Sequence, residues 1–364
     1  MALVRERRKT RQIKVGKQKV GSDVPVSVQS MTNTQTQDPE ATIAQILSLE
    51  KAGCEIVRVA VPDMDAALAI RKIKDGIHIP LIADIHFDYR LALASAKAGV
   101  DGLRINPGNI GEKKKIKAVV DCAKTYGLPI RVGVNAGSLE KEIEKKYGAT
   151  PKAMVESALA NIRILEDLGF YDIKVSLKAS DVERTVEAYR MLAPLTDVPF
   201  HVGVTEAGGL YAGITKSAIG IGMLLSEGIG DTIRVSLTRD PVEEIRTGYE
   251  ILRAMGLRNH GPELISCPTC GRCKINLFKI AEETEKALLE RSAKIKVAIM
   301  GCAVNGPGEA KEADIGIAGG DGKGILFKKG KVIRKIDQDC LVKQLLEEID
   351  SMTKDAEDIN GKES

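Results

Sequence analysis

Three cysteines and one glutamate near the C-terminus have the types and spacing of a reactive metal site. Cys267 and Cys270 stand in Ser-Cys-Pro-Thr-Cys-Gly-Arg, and Cys302 and Glu309 in Met-Gly-Cys-Ala-Val-Asn-Gly-Pro-Gly-Glu. A Cys-x-x-Cys pair places two thiolates on one turn, and a third thiolate can complete a metal or iron–sulfur site. Three thiolates leave one position for a weaker oxygen ligand such as Glu309. Because a substrate oxygen could displace that ligand, the pattern indicates a metal that takes part in chemistry.

Two alternatives remain open for these cysteines. A Cys-x-x-Cys pair alone is also typical of a structural zinc site, although zinc ribbons usually supply a second pair and this chain offers the single Cys302. Cys273 extends the first pair to a Cys-x-x-Cys-x-x-Cys run like that of bacterial ferredoxins. Spacing therefore does not decide whether Cys273 or Cys302 is the third ligand.

Composition narrows the class of protein. A chain of 364 residues with 43% hydrophobic and 29% charged residues is sufficient for one large and one smaller domain. Seven irregularly spaced cysteines and no N-terminal apolar segment favour a reducing compartment, which we take to be the cytoplasm. No run reaches the length of a membrane span. A net charge of +4 and 3% aromatic residues argue against nucleic-acid binding. The basic segment 5–11 is expected to be a solvated arm.

One strand-and-helix unit repeats along the first two thirds of the chain. Short β-branched runs predict eight strands, at residues 24–29, 55–61, 80–85, 102–106, 129–135, 172–178, 199–205 and 231–237. Glycines such as Gly99 and Gly127 end the helical stretches before them. Eight such units within about 230 residues predict a closed parallel TIM barrel. No Gly-x-Gly-x-x-Gly follows the first strand, which argues against a dinucleotide-binding fold. Residues 12–26 predict a small hairpin under the barrel.

The alternation along these strands separates an apolar face from a charged one. The apolar face, as in Val57 and Val59, must be buried under the helices. The other face then points inward and consists of Arg58, Asp84, His86, Arg104, Asn106, Arg131, Asn135, Lys174, Ser176, Lys178, His201, Thr205, Arg234 and Ser236. Barrel interiors are ordinarily filled by branched apolar residues. A ring of six cations against two acids, Asp84 and the adjoining Glu206, is therefore costly unless something neutralises it.

A bound anion would neutralise this inward ring. Carboxylates from the loops are an alternative, and for any single arginine they explain the charge at least as well. For the whole ring we favour an anion, because cations at the carboxyl ends of barrel strands are typical of a substrate site and a diphosphate is the natural counter-charge. His86 follows its strand and is expected to face ligand. His201 lies earlier on its strand and is expected to be a satisfied core histidine.

A second domain is expected to begin near residues 258–262, which divides the chain into residues 1–258 and 259–364. After the cysteine pair the pattern predicts a helix at 276–291, a strand at 296–300, a hairpin at 314–333 and a final helix at 337–352. The charged tail from about Thr353 is expected to be disordered.

Several segments resemble one enzyme family over nearly the whole chain. They are Ser-Val-Gln-Ser-Met-Thr at 27–32, Arg-Ile-Asn-Pro-Gly-Asn at 104–109, Arg-Val-Gly-Val-Asn at 131–135, Val-Thr-Glu-Ala-Gly at 204–208, the cysteine pair and the Asn-Gly-Pro-Gly-Glu segment. The family is that of the 4-hydroxy-3-methylbut-2-enyl diphosphate synthases, iron–sulfur reductases of the methylerythritol phosphate route to isoprenoids. The resemblance implies the two-domain bacterial form: a TIM barrel, then an α+β domain similar to the iron–sulfur part of sulfite and nitrite reductases. It also implies a head-to-tail homodimer, in which the cluster domain of one subunit caps the barrel of the other.

The resemblance assigns roles to the residues above. A 4Fe-4S cluster is implied on Cys267, Cys270, Cys302 and Glu309, with Cys273 outside the set. The implied reaction is reductive opening and dehydration of 2-C-methyl-D-erythritol 2,4-cyclodiphosphate, with two electrons from flavodoxin or ferredoxin. The diphosphate is then held by Arg58, Arg104, Arg131, Lys178 and Arg234, assisted by Asn135 and Ser236, with His86 and Thr205 also at the site. Glu206 is the implied acid/base.

Two rival functions explain only part of the pattern. A barrel transferase of the dihydropteroate synthase type would explain the charged strand ends but neither Cys302 nor Glu309. A zinc-knuckle protein that binds nucleic acid would explain the cysteines but not the inward cations.

Overall fold

The computed structural model describes residues 3–302, 308, 310–320 and 322–360, with side chains as far as residue 352. These residues form two compact units, Met1–Arg258 and Asn259–Ser364. None of the described helices is long and apolar enough to cross a membrane.

The first unit begins with a short antiparallel hairpin of strands β1 (Ile13–Val15) and β2 (Gln18–Val20). Its apolar side chains Ile13, Val15 and Val20 pack against Ile56 and Ile82 as one buried cluster. Because Ile56 and Ile82 lie on the barrel strands, the hairpin closes the amino-terminal end of the barrel. The sequence-based prediction of a hairpin under the barrel is confirmed.

Eight parallel strands follow. They are β3 (Ser27–Met31), β4 (Ile56–Ala60), β5 (Leu81–Asp84), β6 (Gly102–Ile105), β7 (Ile130–Asn135), β8 (Ile173–Lys178), β9 (His201–Val202) and β10 (Thr232–Ile233), in the spatial order β8-β7-β6-β5-β4-β3-β10-β9. The sheet closes where Val175 forms a parallel bridge with Phe200 and donates a hydrogen bond of 3.0 Å to the carbonyl of Pro199. The TIM barrel predicted from the sequence is therefore confirmed. The first strand starts later than predicted because Pro25 has no N–H for a ladder.

Helices connect and cover these strands. They are α1 (Pro39–Lys51), α2 (Met64–Asp75), α3 (Tyr89–Ala98), α4 (Pro107–Ile110), α5 (Lys113–Tyr126), α6 (Lys141–Tyr147), α7 (Pro151–Asp167), α8 (Val182–Leu192), α9 (Leu210–Ser226) and α10 (Pro241–Ala254). Local sequence fixes their ends. Asp38 and Asp63 cap the first turns of α1 and α2 with a side-chain oxygen, while Gly99 and Gly127 end α3 and α5 in the left-handed conformation.

The apolar faces of the strands pack under these helices. Val57, Leu103, Val132 and Val175 all belong to one continuous core and are at most 1% exposed. Burying one such side chain contributes about 1.5–3 kcal/mol. Since neighbouring residues of a strand point to opposite faces, this core forces the alternate, charged residues into the barrel.

The basic segment at the N-terminus is not a solvated arm. The Arg7 guanidinium donates hydrogen bonds to the carbonyl of Gly21 and to the carboxylate of Asp231, at 3.0 and 2.9 Å. The Arg8 guanidinium lies 3.9 Å from the ring centre of Phe200. The sequence-based expectation was wrong because composition does not show that an extended arm meets carbonyls and an aromatic ring on the barrel.

The second unit is a five-stranded mixed sheet. Its strands are β11 (Glu263–Ser266), β12 (Lys296–Met300), β13 (Ile315–Ala318), β14 (Lys323–Lys328) and β15 (Lys331–Asp337), in that spatial order. Strands β11, β12 and β13 pair in parallel, β14 is antiparallel to β13, and β15 is antiparallel to β14. The sequence predicts β12 but not β11, which is too short to show a periodic pattern. The hairpin expected at 314–333 is a three-stranded meander that extends to Asp337.

Alternation again gives this sheet two apolar faces. Val297 and Ile299 point to one face, which is covered by α11 (Leu277–Leu288) and α12 (Leu341–Asn360). Ala298 and Met300 point to the other, where Phe327 packs. Helix α12 continues to Asn360, beyond the position where the sequence predicts a charged tail.

Candidate functional site

The barrel encloses a cup lined by buried cations. Arg104, Arg131, Lys174 and Lys178 are each at most 6% exposed, although they carry charged groups. The strand register places Arg104 beside Arg131, and Arg131 beside Lys174, on three neighbouring strands. Like charges at this spacing repel one another, so the site needs acidic partners or a ligand.

Asp84 is the central acid of the cup. Its carboxylate accepts a hydrogen bond from Nη1 of Arg104 at 3.0 Å and lies 3.5 Å from Nη1 of Arg58 and 3.7 Å from Nε2 of His86. Burial by itself would raise the pKa of Asp84, but Arg58, His86 and Arg104 together lower it far below the usual range. The carboxylate therefore remains ionised and fixes two arginine side chains.

Arg58 shares its guanidinium between this acid and a sulfur atom. Its Nη2 and Nε groups donate to Sδ of Met31 at 2.9 and 3.2 Å. Burial lowers the pKa of Arg58 to about 10, while Asp84 opposes the shift and Arg234 and Arg104 add to it. Thioether sulfur is a weak acceptor, so part of the hydrogen-bonding capacity of Arg58 remains for a stronger partner.

A second acid, Glu244, comes from helix α10 and was missed by the sequence-based predictions. Its carboxylate lies 3.3 Å from Nε and 3.4 Å from Nη2 of Arg234, and it accepts a 2.8 Å hydrogen bond from the Ser30 hydroxyl. Glu244 is 4% exposed. Its position beside Ile245, on the buried stripe of an amphipathic helix, is the signal that could have identified it.

The charges of the cup do not balance. Two buried acids, Asp84 on β5 and Glu244 on α10, pair with cations of the cup, of which the sequence predicts six. In the described part of the chain, Nε and Nη1 of Arg131 and Nζ of Lys174 have no hydrogen-bond partner. Burial, with repulsion from neighbouring arginines, lowers the pKa values of Arg131 and Lys178 well below their ordinary values. This excess of positive charge matches a multiply charged anion.

Glu206 lies on the loop that follows strand β9, at the carboxyl end of the barrel. Its side chain is exposed and its backbone has φ 50°, a left-handed conformation that is uncommon for residues other than glycine. Such strained residues cluster at functional sites. The sequence-based prediction counted Glu206 as an acid facing the ring, but the structure places Glu244 in that role.

The remaining predicted residues lie at the carboxyl ends of their strands. Asn135 is half-buried and in register with Lys178, and Thr205 and Ser236 are also half-buried. His86 is 54% exposed. These positions are open to a ligand at the upper edge of the barrel.

His201 is a satisfied core histidine, as the sequence predicts. It is completely buried, with Nδ1 2.7 Å from Oγ1 of Thr232 and Nε2 3.5 Å from Nζ of Lys178. Burial and the surrounding cations, Lys178 first, lower the pKa of His201 well below its ordinary value, so the ring is neutral.

The cysteines of the second unit gather at one edge of its sheet. Cys267 directly follows β11, and its N–H donates to the carbonyl of Ile299 at 3.0 Å. Cys302 lies just after β12, which runs parallel to β11, so both thiols lie at the carboxyl edge. Cys273 is also close, because a Cβ added at Gly301 would lie 3.0 Å from its Sγ.

These donors fit an iron–sulfur cluster by their chemistry. Cys267, Cys273 and Cys302 are free thiols, and thiolates are the ligands that iron–sulfur clusters use. Within the described ranges, no three Cys, His, Asp or Glu side chains already converge as metal ligands. Glu309, the predicted fourth ligand, lies outside the described residues.

Together, fold and site define a TIM-barrel protein with a cation-lined cup and a cysteine-bearing second domain. Two family models match the chain: the GcpE TIM-barrel domain at residues 10–249 and the GcpE protein C-terminal domain at residues 263–351. The chain belongs to the GcpE family. This membership confirms the family resemblance read from the sequence; the likeness of the second domain to sulfite and nitrite reductases stays a prediction.

Relatives in this family are similar over almost their full length. The 4-hydroxy-3-methylbut-2-en-1-yl diphosphate synthase (flavodoxin) of Caldanaerobacter subterraneus subsp. tengcongensis is 59% identical, with 97% of this chain and 100% of the relative covered. The protein of the same name from Geobacter sulfurreducens is 59% identical over 94% of this chain and 98% of its own length. Among solved structures, the dihydropteroate synthase of Yersinia pestis is 10% identical with a TM-score of 0.47, covering 67% of this chain and 98% of the other.

Proposed function

We propose that this chain converts 2-C-methyl-D-erythritol 2,4-cyclodiphosphate into 4-hydroxy-3-methylbut-2-enyl diphosphate, the product in the names of its relatives. The observation that carries the proposal is the cup, in which buried cations outnumber their acids and leave Arg131 without partners for two of its nitrogens among the described residues. A diphosphate supplies the oxygen acceptors that these donors lack.

The diphosphate would be bound by the cations of the cup. Asp84 and Glu244 hold Arg58, Arg104 and Arg234 in place before the ligand arrives. Arg131 and Lys178 then supply donors from the inner wall, and Asn135, Thr205, Ser236 and His86 supply polar groups at the upper edge. Such preorganisation reduces the entropy cost of orienting the substrate.

Glu206 is the proposed acid/base. Reductive opening and loss of water consume two electrons and two protons for each substrate molecule and release one water molecule. The Glu206 carboxyl would transfer a proton at the reacting carbon–oxygen bonds, while the phosphates stay fixed below. Its position on the loop after β9, its exposed side chain and its uncommon backbone conformation support this role.

A 4Fe-4S cluster is the proposed source of the electrons at the site. Cys267, Cys270 and Cys302 would hold it, with Glu309 as an exchangeable fourth ligand and Cys273 outside the set. When bound, such a cluster supplies single electrons and an iron position that can polarise a substrate oxygen. Flavodoxin, named in the relatives, or a ferredoxin is the proposed donor. We place the reaction in the cytoplasm and in a head-to-tail homodimer.

Anaerobic purification tests this function. We expect a brown protein with broad absorption near about 400 nm, with iron and sulfide in equal amounts and turnover of the cyclic diphosphate when a reductant is added. Reduced flavodoxin should replace an artificial reductant. A colourless protein that contains zinc would favour the zinc-knuckle alternative, and an iron-free protein with full activity would refute the proposal.

A further inference from the structure

Lys174 lies deeper in the barrel than the residues proposed to bind substrate. It is the first inward residue of β8 and precedes Lys178, on the same face, by four residues. At about 3.3 Å per residue, the two positions are about 13 Å apart along the strand. Lys174 is 1% exposed and pairs in register with Arg131 on β7.

Lys174 has a cationic neighbour but no acid of its own. In the part of the chain that the structure describes, its Nζ has no hydrogen-bond partner. The buried acids near the barrel interior form ion pairs with other cations. These pairs are Asp84 with Arg104, Glu244 with Arg234 and Asp231 with Arg7. The charged or titratable groups that act on Lys174 are Arg131 on β7, Arg58 on β4, His201 on β9 and Asp231 just before β10.

A buried ammonium group without a partner is unstable in this setting. Such groups commonly lose their proton instead of carrying an uncompensated charge. Burial lowers the pKa of Lys174 to about 7; repulsion from Arg131 and Arg58 adds to the shift, and Asp231 opposes it. A dianion placed above Arg131 would reverse this repulsion, because its field favours the protonated amine.

We propose that Lys174 is a proton-coupled positioning residue, which takes up a proton from solvent when the diphosphate enters the cup. The inference rests on the proposed function, because it requires that the cup binds this anion. The bound dianion offsets the repulsion from Arg131 and Arg58 that disfavours the ammonium group, and the ammonium group does not contact the reacting atoms.

Proton uptake on binding makes the affinity for the diphosphate depend on pH in a defined way. Below pH 7 the amine of the free protein already carries its proton, so little uptake is expected. Above pH 7 the free amine is neutral and binding must supply the proton, so affinity falls by up to about tenfold per pH unit. The cyclic diphosphate does not itself gain a charge in this range, because each phosphorus carries one ester and one anhydride oxygen and so lacks the second ionisation that phosphate monoesters show near about pH 6.

Calorimetry measures this uptake directly. Anaerobically purified protein is titrated with the cyclic diphosphate, without any electron donor, in buffers of different ionisation enthalpy at pH 6 and pH 8. The variants Lys174→Met, which is neutral, and Lys174→Arg, which is permanently charged, both remove the titrating amine. At pH 8 each should take up about one proton fewer than the wild type, and at pH 6 the difference should be close to zero.

The matched control is Ser176→Ala, the next inward position of β8, which should keep the wild-type uptake. One neutral and one positively charged variant are used so that failure of one to fold leaves the other. Equal uptake by the wild type and the Lys174 variants at pH 8 would overturn the inference while the proposed function stands. Absence of any binding by the wild type would overturn the proposed function, and this inference with it.

Discussion

The cup of the barrel and the cysteine edge of the second unit present chemical groups in opposite ways. In the cup, charged side chains stand on strands, are buried, and are fixed by register and by two acids. In the second unit the sheet is apolar on both faces, and the cysteines lie just beyond its strands. The fold therefore preorganises the proposed anion site, whereas the thiols provide donors whose final arrangement a bound cluster would complete.

The two regions also differ in their contributions to the stability of the protein. The cup concentrates like charges in a poorly solvated space, which lowers stability unless a ligand or an acid compensates. The second unit buries apolar side chains on both faces of its sheet and carries no comparable charge cluster among its described residues. Substitutions in the two regions should therefore affect different measurements, and the following predictions test that separation in order of decreasing effect.

Loss of a proposed cluster ligand should have the largest effect. Cys302→Ala should lose most of the bound iron and all measurable turnover, because a missing thiolate leaves the cluster without a firm ligand. Iron and sulfide analysis after anaerobic purification measures this. Binding of the cyclic diphosphate should persist, since the cup is unchanged. Cys273→Ala is the matched control and should keep its iron; full iron retention in Cys302→Ala would instead assign the ligand role to Cys273.

Removal of the proposed acid/base should lower the turnover rate and leave cluster content and substrate affinity unchanged. Glu206→Gln is expected to lower turnover by about 10²–10⁴-fold, with iron content and substrate affinity close to the wild type, because a positioned proton donor contributes about that much. Steady-state kinetics with an artificial reductant measures the change. Glu187→Gln, an exposed acid on the outer side of α8, serves as the control. A wild-type rate in Glu206→Gln would remove this residue from the mechanism.

Truncation within the ring should weaken binding without affecting the cluster. Arg104→Ala removes a cation that Asp84 holds in the cup, and we expect the affinity for the cyclic diphosphate to fall roughly 30- to 100-fold, corresponding to about 2–3 kcal/mol. Calorimetry without reductant measures the affinity. Arg71→Ala, exposed on α2, is the control for loss of one positive charge. Wild-type affinity in Arg104→Ala, or loss of iron, would contradict the separation of the two regions.

The smallest expected effect is on stability. Glu244→Gln leaves Arg234 without its acid in a buried position, and should lower the free energy of unfolding of the substrate-free protein by about 2 kcal/mol. Thermal denaturation measures this, and added cyclic diphosphate should restore part of the loss by supplying negative charge. In the control Glu243→Gln, the replaced carboxylate forms a partly exposed ion pair with Arg246, and stability should change by less than about 0.5 kcal/mol. Equal losses in the two variants would show that Glu244 does not act as the acid of the cup.

The alternation of residue types along the strands is sufficient, without the structure, to determine which strand faces are buried and which point into the barrel. Because a strand sends neighbouring side chains to opposite faces, the apolar residues at 57, 103, 132 and 175 define the buried side, and the cations between them must point inward. The eight repeated strand-and-helix units indicate a closed barrel. Cys267 and Cys270, with Cys302 later in the chain, indicate thiolate ligands for a metal or cluster. These features are local, so a pattern in the sequence is sufficient to show them.

Which of these groups contact one another depends on the tertiary structure. Glu244 reaches Arg234 from a helix, the Met31 sulfur accepts from Arg58, and Arg8 lies over Phe200 although the two are far apart in the sequence. The structure also decided that Lys174 has no acid of its own among the described residues, while nearby acids are taken by other cations. Strand alternation fixes the side to which a residue points, but the partner it finds depends on helix placement, strand register and the long-range packing of the barrel.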